Sequence, residues 1–224
     1  MVVPPLANDA VHVWYASLEL DGSKIESHRA VLDDAERDRA LRFHFQRDAH
    51  GYVIAHGVLR RLLAPYIGCS PRELRFGTSR HGKPSLENAS IRFSLSHSGA
   101  MAAIAIAQNE VGIDIECLRP ITEVESLARR YLNESDARLI SELSGDVRAA
   151  HFLRCWTRKE ACLKAQGLGL SGISQTTPTP TASCGEPWQA LEIHPGPGYV
   201  GAVVVHRNCT AVQEHVWQHD SSLK

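Results

Sequence analysis

The segment between residues 90 and 116 constrains the fold most, because three short apolar runs follow one another there. They are SIRFSLS (90–96), MAAIAIA (101–107) and VGIDIE (111–116). Runs of this length, rich in β-branched residues and bounded by polar turn residues, are typical of strands that face a core. A tight turn is expected at Gln108-Asn109. The pattern predicts three neighbouring β-strands in the middle of the chain.

Two long segments with helical periodicity flank these strands. DAHGYVIAHGVLRRLLAPYIG (48–68) places its apolar residues along one stripe, and AAHFLRCWTRKEACLKAQG (149–167) ends at Gly167, a typical helix stop. Strand-like segments follow each of them, so a helix-then-strand order occurs once in each half. Because strands and helices are partly segregated, the sequence predicts an α+β fold rather than regular βαβ alternation.

The remaining elements are shorter. The patterns predict a strand over 11–18, helices over 32–45, 123–132 and 134–143, and strands in the last forty or so residues. The segment 174–187 is rich in Pro, Ser and Thr, and we expect a loop there.

Composition disfavours several kinds of protein. With 24 basic and 25 acidic residues, charge alone gives no reason to expect a nucleic-acid partner. No apolar run is long enough to cross a bilayer, and the N-terminus lacks the pattern of a signal peptide. The six cysteines form no CxxC pair, which favours reduced thiols and no zinc site. We therefore expect a cytoplasmic protein without a membrane partner.

Two acidic residues interrupt the third apolar run. In a strand, residues two apart share a face, so Asp114 and Glu116 would lie side by side. Like charges this close repel each other, and burial strengthens the repulsion. Solvent on that face would tolerate both acids, and a hard cation such as Mg²⁺ would use them as ligands. From this stretch alone, a solvated face is favoured.

The long helix near the C-terminus adds a third acid. Trp156, Glu160 and Lys164 are spaced four apart and therefore lie on one helix face. A solvated face with one ion pair is the ordinary interpretation. The alternative is that Glu160 completes a three-carboxylate metal site and that Lys164 contacts a phosphate. Lys159 lies beside Glu160 in sequence, and with Lys164 it is expected to lower the pKa of Glu160.

Two turn-like segments have side chains that suit phosphate. FSLSHSG (93–99) combines serine hydroxyls with His97 next to a glycine, and RHGKPSL (80–86) combines three cationic residues with Gly82. Taken alone, FSLSHSG is weak evidence and also fits a turn with ordinary serine capping, and RHGKPSL also fits an exposed polar loop. RHGKPSL is not a P-loop, because the upstream glycine spacing and the Ser or Thr after Lys83 are missing.

Together these segments, in this order, resemble the 4'-phosphopantetheinyl transferase family, and within it the larger, surfactin synthetase-activating type. Gly112–Glu116 matches the family pattern Gly-Ile-Asp-Ile/Leu-Glu. Trp156–Gly167 matches Trp-x-x-Lys-Glu-Ala-x-x-Lys-Ala-x-Gly. The resemblance covers residues 33–172, and the last third of the chain resembles nothing strongly.

The resemblance implies a fold, a reaction and a set of site residues. The fold is two similar α+β halves related by a pseudo-twofold axis, here expected over 1–108 and 109–224. The reaction transfers the 4'-phosphopantetheine group of coenzyme A to a carrier-protein serine and releases adenosine 3',5'-bisphosphate. Mg²⁺ is the implied cofactor. The implied metal ligands are Asp114, Glu116 and Glu160, and the implied coenzyme A contacts are Arg39, Lys83, Ser96, His97 and Lys164. The implied catalytic residues are Glu160, which would accept the serine proton directly or through a metal-bound water, and Lys164, which would stabilise charge. Whether Glu160 acts mainly as base or as metal ligand stays open.

The expected partners are coenzyme A and an acyl or peptidyl carrier protein, and the chain is expected to act as a monomer. Some positions depart from the family pattern. Glu36 stands where some relatives carry Lys, His56 replaces an Arg, and Ser94 replaces an Asn. These three differences put the affinity for the nucleotide part of coenzyme A in doubt more than the transfer chemistry. Two alternatives remain open: a non-catalytic coenzyme A-binding module, and a metal-dependent phosphatase or nuclease that uses the same three acids.

Overall fold

The computed structural model of the chain describes residues 3–168 and 184–219, and these residues form an α+β fold. The helices are α1 (Gly22–Arg29), α2 (Asp34–Leu41), α3 (Gln46–Ile67), α4 (Val124–Tyr131), α5 (Glu134–Glu142) and α6 (Gly145–Gln166). The strands are β1 (Ala10–Ser17), β2 (Phe76–Thr78), β3 (Pro84–Leu86), β4 (Arg92–Ser98), β5 (Met101–Ala107), β6 (Gly112–Cys117), β7 (Trp188–Ile193), β8 (Tyr199–His206) and β9 (Ala211–Val216).

The strands form two main sheets and a small hairpin. The first sheet has the order β4-β5-β1-β9, the second has the order β6-β8-β7, and β2 pairs with β3. In the first sheet β1 is antiparallel to β5 and parallel to β9. The last strand therefore lies in the sheet that β1, β4 and β5 build. The boundary between residues 108 and 109 remains a prediction.

The two sheets lie between the two long helices. On one face of the first sheet, Trp14 and Ile104 pack against apolar residues of α3 such as Leu62. The alternate residues of the same strands, Val13 among them, pack against Ile113 and the other core residues of the second sheet. The far side of the second sheet is covered by α6. The N-terminal half contributes three strands of the first sheet, the C-terminal half contributes the second sheet and β9, and each half contributes one helix of 22 residues. The predicted two-halved α+β organisation is confirmed.

The sequence patterns located the long helices and missed some detail. Both end at a glycine in the left-handed region, Gly68 and Gly167, as C-terminal caps commonly do. Pro65 lies inside α3, close to its C-terminal end. The helix predicted over 32–45 ends at Leu41, and α1 was not predicted at all, because it buries only Ile25 and His28 and shows no apolar stripe.

The third predicted strand is not hydrogen-bonded to the second. β6 comes after β5 along the chain, but it belongs to the second sheet, where it pairs with β8. The predicted loop over 174–187 falls mostly outside the described residues, except for 184–187. No helix in the described part of the chain is both long and apolar enough to span a membrane.

One expectation about the cysteines is wrong. Cys162 on α6 and Cys184 form a disulfide, with their Cα atoms 5.7 Å apart, so neither of them is a reduced thiol. The distance lies within the range that disulfides span. The pair was not evident from sequence because the cysteines are 22 residues apart and meet only when the chain folds back onto α6.

Candidate active site

Direct backbone contact between β6 and α6 builds the centre of the site. A Cβ atom added at Gly112 would lie 1.9 Å from the carbonyl oxygen of Ala161 and 2.4 Å from the amide nitrogen of Ala165. Only glycine leaves room for this approach. The contact brings Asp114, on the same face of β6 as Gly112, next to the helix face that carries Glu160 and Lys164.

Asp114 is buried and has one oxygen engaged. Its Oδ1 accepts hydrogen bonds from Lys164 Nζ at 2.7 Å and from Ser96 Oγ at 2.8 Å. Its Oδ2 is buried and has no hydrogen-bond partner among the described residues. Burial raises the pKa of Asp114, although Lys164 and Ser96 act in the opposite direction. The solvated face favoured for VGIDIE is therefore wrong at Asp114, which is only 6% exposed.

Glu160 is the second buried acid, and it too has a free oxygen. Its Oε1 has no hydrogen-bond partner in the described part of the chain. Burial raises the pKa of Glu160, and the charge of Asp114 raises it further. The expectation that the two lysines would lower this pKa is wrong in its net direction, because their effect is smaller. Lys159 donates to the carbonyl oxygen of Tyr131, 2.5 Å away.

Glu116 lies further out on β6. Its carboxylate accepts from Ser98 Oγ at 2.8 Å and from Arg119 at 2.9 Å. This predicted metal ligand thus has two donors, and both use its Oε2. Among the described residues, no group of three or more His, Cys, Asp or Glu side chains is arranged as a ready metal site.

A cleft opens beside these acids, between the two halves. Its volume is about 790 Å³. Glu160 and Lys164 line it from α6, Arg39 from α2, and Lys83 from the β2–β3 turn. The guanidinium of Arg39 lies 5.5 Å from the centre of the Tyr52 ring. Three of the predicted coenzyme A contacts therefore share one cavity with the predicted base.

The other two predicted contacts lie near that cavity. Ser96 is buried on β4 and bonds to Asp114. His97 is exposed, and its pKa is lowered by partial removal from water and by the charges of Lys164 and His56. Because these charges act on it, the imidazole of His97 lies within electrostatic range of the cleft's cations.

Lys83 has a bonding pattern of its own. Its Nζ donates to Glu110 at 2.5 Å, to the carbonyl oxygen of Val111 at 3.1 Å and to that of Ala165 at 3.3 Å. These acceptors belong to the start of β6 and the last turn of α6. Lys83 thus links the β2–β3 turn to the second half while it lines the cleft.

Comparison with known proteins identifies the family. The 4'-phosphopantetheinyl transferase superfamily profile matches residues 110–218, and the profile of the N-terminal region of such transferases matches residues 21–109. 4'-phosphopantetheinyl transferase HetI of Nostoc sp. strain PCC 7120 is 34% identical over 211 residues, which cover 89% of this chain and 89% of the relative. The chain belongs to the 4'-phosphopantetheinyl transferase family.

Other relatives agree. 4'-phosphopantetheinyl transferase Sfp of Bacillus subtilis strain 168 is 26% identical over 158 residues, or 70% of each chain. The L-aminoadipate-semialdehyde dehydrogenase-phosphopantetheinyl transferase of Schizosaccharomyces pombe is 27% identical over 159 residues, or 63% of this chain and 61% of that protein. The resemblance drawn from the sequence is confirmed, and this phosphopantetheinyl transferase is an enzyme.

A charge cluster that the sequence did not predict borders the transferase cleft, which Asp33, Glu36 and His56 line. Arg60 on α3 is fully buried and pairs with Asp33 and Glu36. Glu36 also bonds to His56, 3.1 Å away, and the His56 ring stacks on Tyr52. Burial acts to raise the pKa of Glu36, but His56, Arg60 and the amide of Asp33 together lower it. The signal for this cluster was an arginine within the apolar stripe of α3.

The acids of the transferase fit a divalent cation in part. Asp114 Oδ2 and Glu160 Oε1 are buried oxygens without a described hydrogen-bond partner, and hard cations prefer such ligands. Glu116 also fits, because Ser98 and Arg119 both donate to its Oε2, and Arg119 is more than half exposed. The residues present therefore suit Mg²⁺, with two ligands available and a third held by a weak surface ion pair.

Proposed function

We propose that this enzyme transfers the 4'-phosphopantetheine group of coenzyme A to a serine hydroxyl of an acyl or peptidyl carrier protein. The carrier serine oxygen forms a bond to the β-phosphorus, the pyrophosphate P–O bond breaks, and adenosine 3',5'-bisphosphate leaves. The single observation that carries the proposal is the arrangement of Asp114, Glu160 and Lys164 beside a cleft of about 790 Å³. The family supports the same reaction.

Coenzyme A would occupy the cleft with its phosphates towards the cations. Arg39 and Lys164 line the cavity, and His97 lies within electrostatic range of Lys164. Charge-assisted hydrogen bonds to phosphate are among the stronger ones in proteins. We propose Arg39, Lys83 and His97 for the 3'-phosphate and Lys164 for the pyrophosphate. Ser96 is bonded to Asp114, so its part in coenzyme A binding would be indirect.

Asp114, Glu116 and Glu160 would hold Mg²⁺. When bound, Mg²⁺ would neutralise the pyrophosphate and make its phosphorus more electrophilic. The free oxygens of Asp114 and Glu160 support this assignment. At Glu116 the cation would compete with Ser98 and Arg119 only at Oε2, and the exposed ion pair with Arg119 costs little to break.

Glu160 and Lys164 would carry out the proton and charge steps. Burial and the charge of Asp114 raise the pKa of Glu160, which suits a general base for the serine proton when the carboxylate is free. As a ligand of Mg²⁺ the same carboxylate would be a weaker base, so its two roles compete. The ammonium of Lys164 would donate to an oxygen of the departing phosphate and stabilise the charge that develops there. In this structure the same ammonium is the counter-ion of Asp114, so it would exchange one anion for another.

The experiment is mass spectrometry of an apo carrier protein incubated with coenzyme A, Mg²⁺ and the enzyme. A gain of one phosphopantetheine mass is expected, and excess EDTA should abolish it. Asp114→Ala should lose nearly all transfer, whereas Glu116→Ala should retain some, because water can replace one Mg²⁺ ligand. Coenzyme A binding without a mass gain would indicate the non-catalytic binding module. Full transfer in excess EDTA would contradict the metal assignment.

We further propose that the enzyme acts in the cytoplasm as a monomer and does not bind nucleic acid. The balanced charge, with 24 basic and 25 acidic residues, supports the absence of a nucleic-acid partner. Gel filtration with light scattering would test the oligomeric state. Parallel reactions with carriers from fatty-acid, polyketide and peptide synthesis would establish the preferred substrate.

A further inference from the structure

β4 and β6 are edge strands of different sheets, yet they run side by side. An edge strand carries backbone N–H groups that its own sheet does not pair, and burying such groups without a partner is costly. No backbone ladder joins β4 to β6. The N–H groups on this side of β6 must therefore find other acceptors.

Three serine hydroxyls supply them. Ser94 Oγ accepts from the amide of Ile113 at 3.1 Å, Ser96 Oγ from that of Ile115 at 3.3 Å, and Ser98 Oγ from that of Cys117 at 3.0 Å. Each pair is separated by 19 residues, so the register is constant and the two strands are parallel. We call this row of hydroxyls the serine seam.

Two of the three hydroxyls also donate a hydrogen bond to a carboxylate. Ser96 Oγ donates to Asp114 Oδ1, and Ser98 Oγ donates to Glu116 Oε2, both at 2.8 Å. A hydroxyl has one donor and two acceptor sites, so each of these serines joins the β6 backbone to an acid on the same strand. For Ser94, the structure shows the backbone bond.

We propose that Ser96 and Ser98 are positioning residues that fix the carboxylates of Asp114 and Glu116 for Mg²⁺ while the serine seam holds the two sheets together. The proposal rests on the proposed function, since it assigns the seam to the acids of that reaction. With Oδ1 held by Ser96 and Lys164, the Oδ2 atom of Asp114 is left with a fixed direction and no described partner. Groups that orient a metal ligand in this way are worth about 10- to 100-fold in metal affinity.

Ser94 provides the matched control. Ser94→Ala removes a hydroxyl from the same seam and leaves the amide of Ile113 without its partner, but no described carboxylate loses a hydrogen bond. Ser96→Ala and Ser98→Ala each lose an amide contact and a carboxylate contact. Because Ser98 is only half-buried, its variant tests the proposal even if Ser96→Ala fails to fold. Ser98→Thr keeps the hydroxyl on a residue that suits a strand.

The experiment has three measurements on the full-length enzyme. Amide hydrogen exchange should quicken about ten-fold at Ile113, Ile115 or Cys117 in the variant of the matching serine, and not at the other two. Calorimetric titration of Mg²⁺ in saturating coenzyme A should show about 10- to 100-fold weaker binding in Ser96→Ala and Ser98→Ala. Ser94→Ala should stay within about two-fold of wild type, and Ser98→Thr should regain most of the affinity.

Equal Mg²⁺ affinity in the alanine variants of Ser94, Ser96 and Ser98 would overturn the positioning role, as would a wild-type protein that binds no Mg²⁺. Carrier modification by the wild type is measured separately. Weaker Mg²⁺ binding in the two predicted variants, without any carrier modification by the wild type, would support the positioning role and refute the proposed reaction. Normal transfer with unchanged Mg²⁺ affinities would do the reverse.

Discussion

Gly112→Ala is the most direct perturbation of the architecture that assembles the site. The added methyl group would lie 1.9 Å from the carbonyl oxygen of Ala161 and 2.4 Å from the amide nitrogen of Ala165. Both atoms belong to the backbone of α6, so rotating a side chain cannot relieve the clash. The helix, or β6, has to move.

The size of that movement follows from the contact. Ordinary van der Waals contact of a Cβ atom begins at 3.4 Å, so the two elements must separate by roughly 1.5 Å. Overpacking of this kind costs about 1–3 kcal/mol, and rigid backbone places the change near the upper end. A loss of about 3 kcal/mol corresponds to a melting temperature lower by about 6–12 °C in a protein of this size.

Activity should fall as well, because Glu160 and Lys164 move with α6 while Asp114 remains on β6. A misplacement of about 1 Å can cost about 10²-fold in rate. We therefore expect kcat/KM for carrier modification to fall by about 10²-fold or more. Calorimetric unfolding and a mass-spectrometric rate assay on the same preparation measure both effects.

Gly51→Ala is the control, since a Cβ there would meet only Leu18, at 3.9 Å. Ala is favoured over Gly inside a helix, so this variant should gain about 0.4–1 kcal/mol. Its transfer rate should match that of the wild type. A Gly112→Ala protein with wild-type melting temperature and wild-type rate would refute the inferred contact between β6 and α6.

Three further predictions concern the site. Glu160→Gln should lower kcat by about 10²–10⁴-fold with coenzyme A still bound, and calorimetry with chelator should show a melting temperature about 2–4 °C above wild type because a buried charge is gone. That gain should shrink as the pH falls towards the usual Glu range, because the raised pKa lets folded wild type take up a proton while Gln cannot; a pH-independent gain would contradict the account. Lys83→Ala should raise KM for coenzyme A by about 10- to 100-fold and weaken discrimination against dephospho-coenzyme A. An unchanged preference for coenzyme A would show that Lys83 does not bind the 3'-phosphate and only makes its contacts to Glu110, Val111 and Ala165. Arg119→Ala should strengthen Mg²⁺ binding by no more than about five-fold in a calorimetric titration, since an exposed ion pair is worth under about 1 kcal/mol; weaker binding would show that Arg119 supports the site.

Periodicity predicted the parts of the fold that rest on local pattern. The apolar stripe of α3 and the apolar runs of β4, β5 and β6 gave these elements their correct type. Pairing between distant segments was not predictable in the same way. β6 follows β5 closely in the chain but pairs with β8 on one edge, and on its other edge its amides bond to the Ser94, Ser96 and Ser98 hydroxyls of β4.

In the site, too, features set by local spacing were predictable and features set by contacts between distant segments were not. The spacing of Trp156, Glu160 and Lys164 correctly predicted one helix face, and Asp114 does lie against it. The predicted shift of the Glu160 pKa had the wrong sign. The sequence shows two lysines close to Glu160 and suggests a lowered pKa, whereas in the fold burial and the charge of Asp114 raise it. Arg119 could not be recognised as a partner of Glu116 from the sequence, since surface ion pairs depend on the local turn after β6.

The central claim, transfer of 4'-phosphopantetheine to a carrier serine, is tested most directly by measuring both products, the modified carrier and adenosine 3',5'-bisphosphate. An apo carrier protein and its variant with the acceptor serine changed to alanine are incubated with coenzyme A, Mg²⁺ and enzyme. Intact mass and released adenosine 3',5'-bisphosphate are then measured in the same sample. We expect one phosphopantetheine added for each nucleotide released with the serine carrier, and neither product with the alanine carrier. Nucleotide release without carrier modification would contradict the account and indicate a metal-dependent phosphohydrolase.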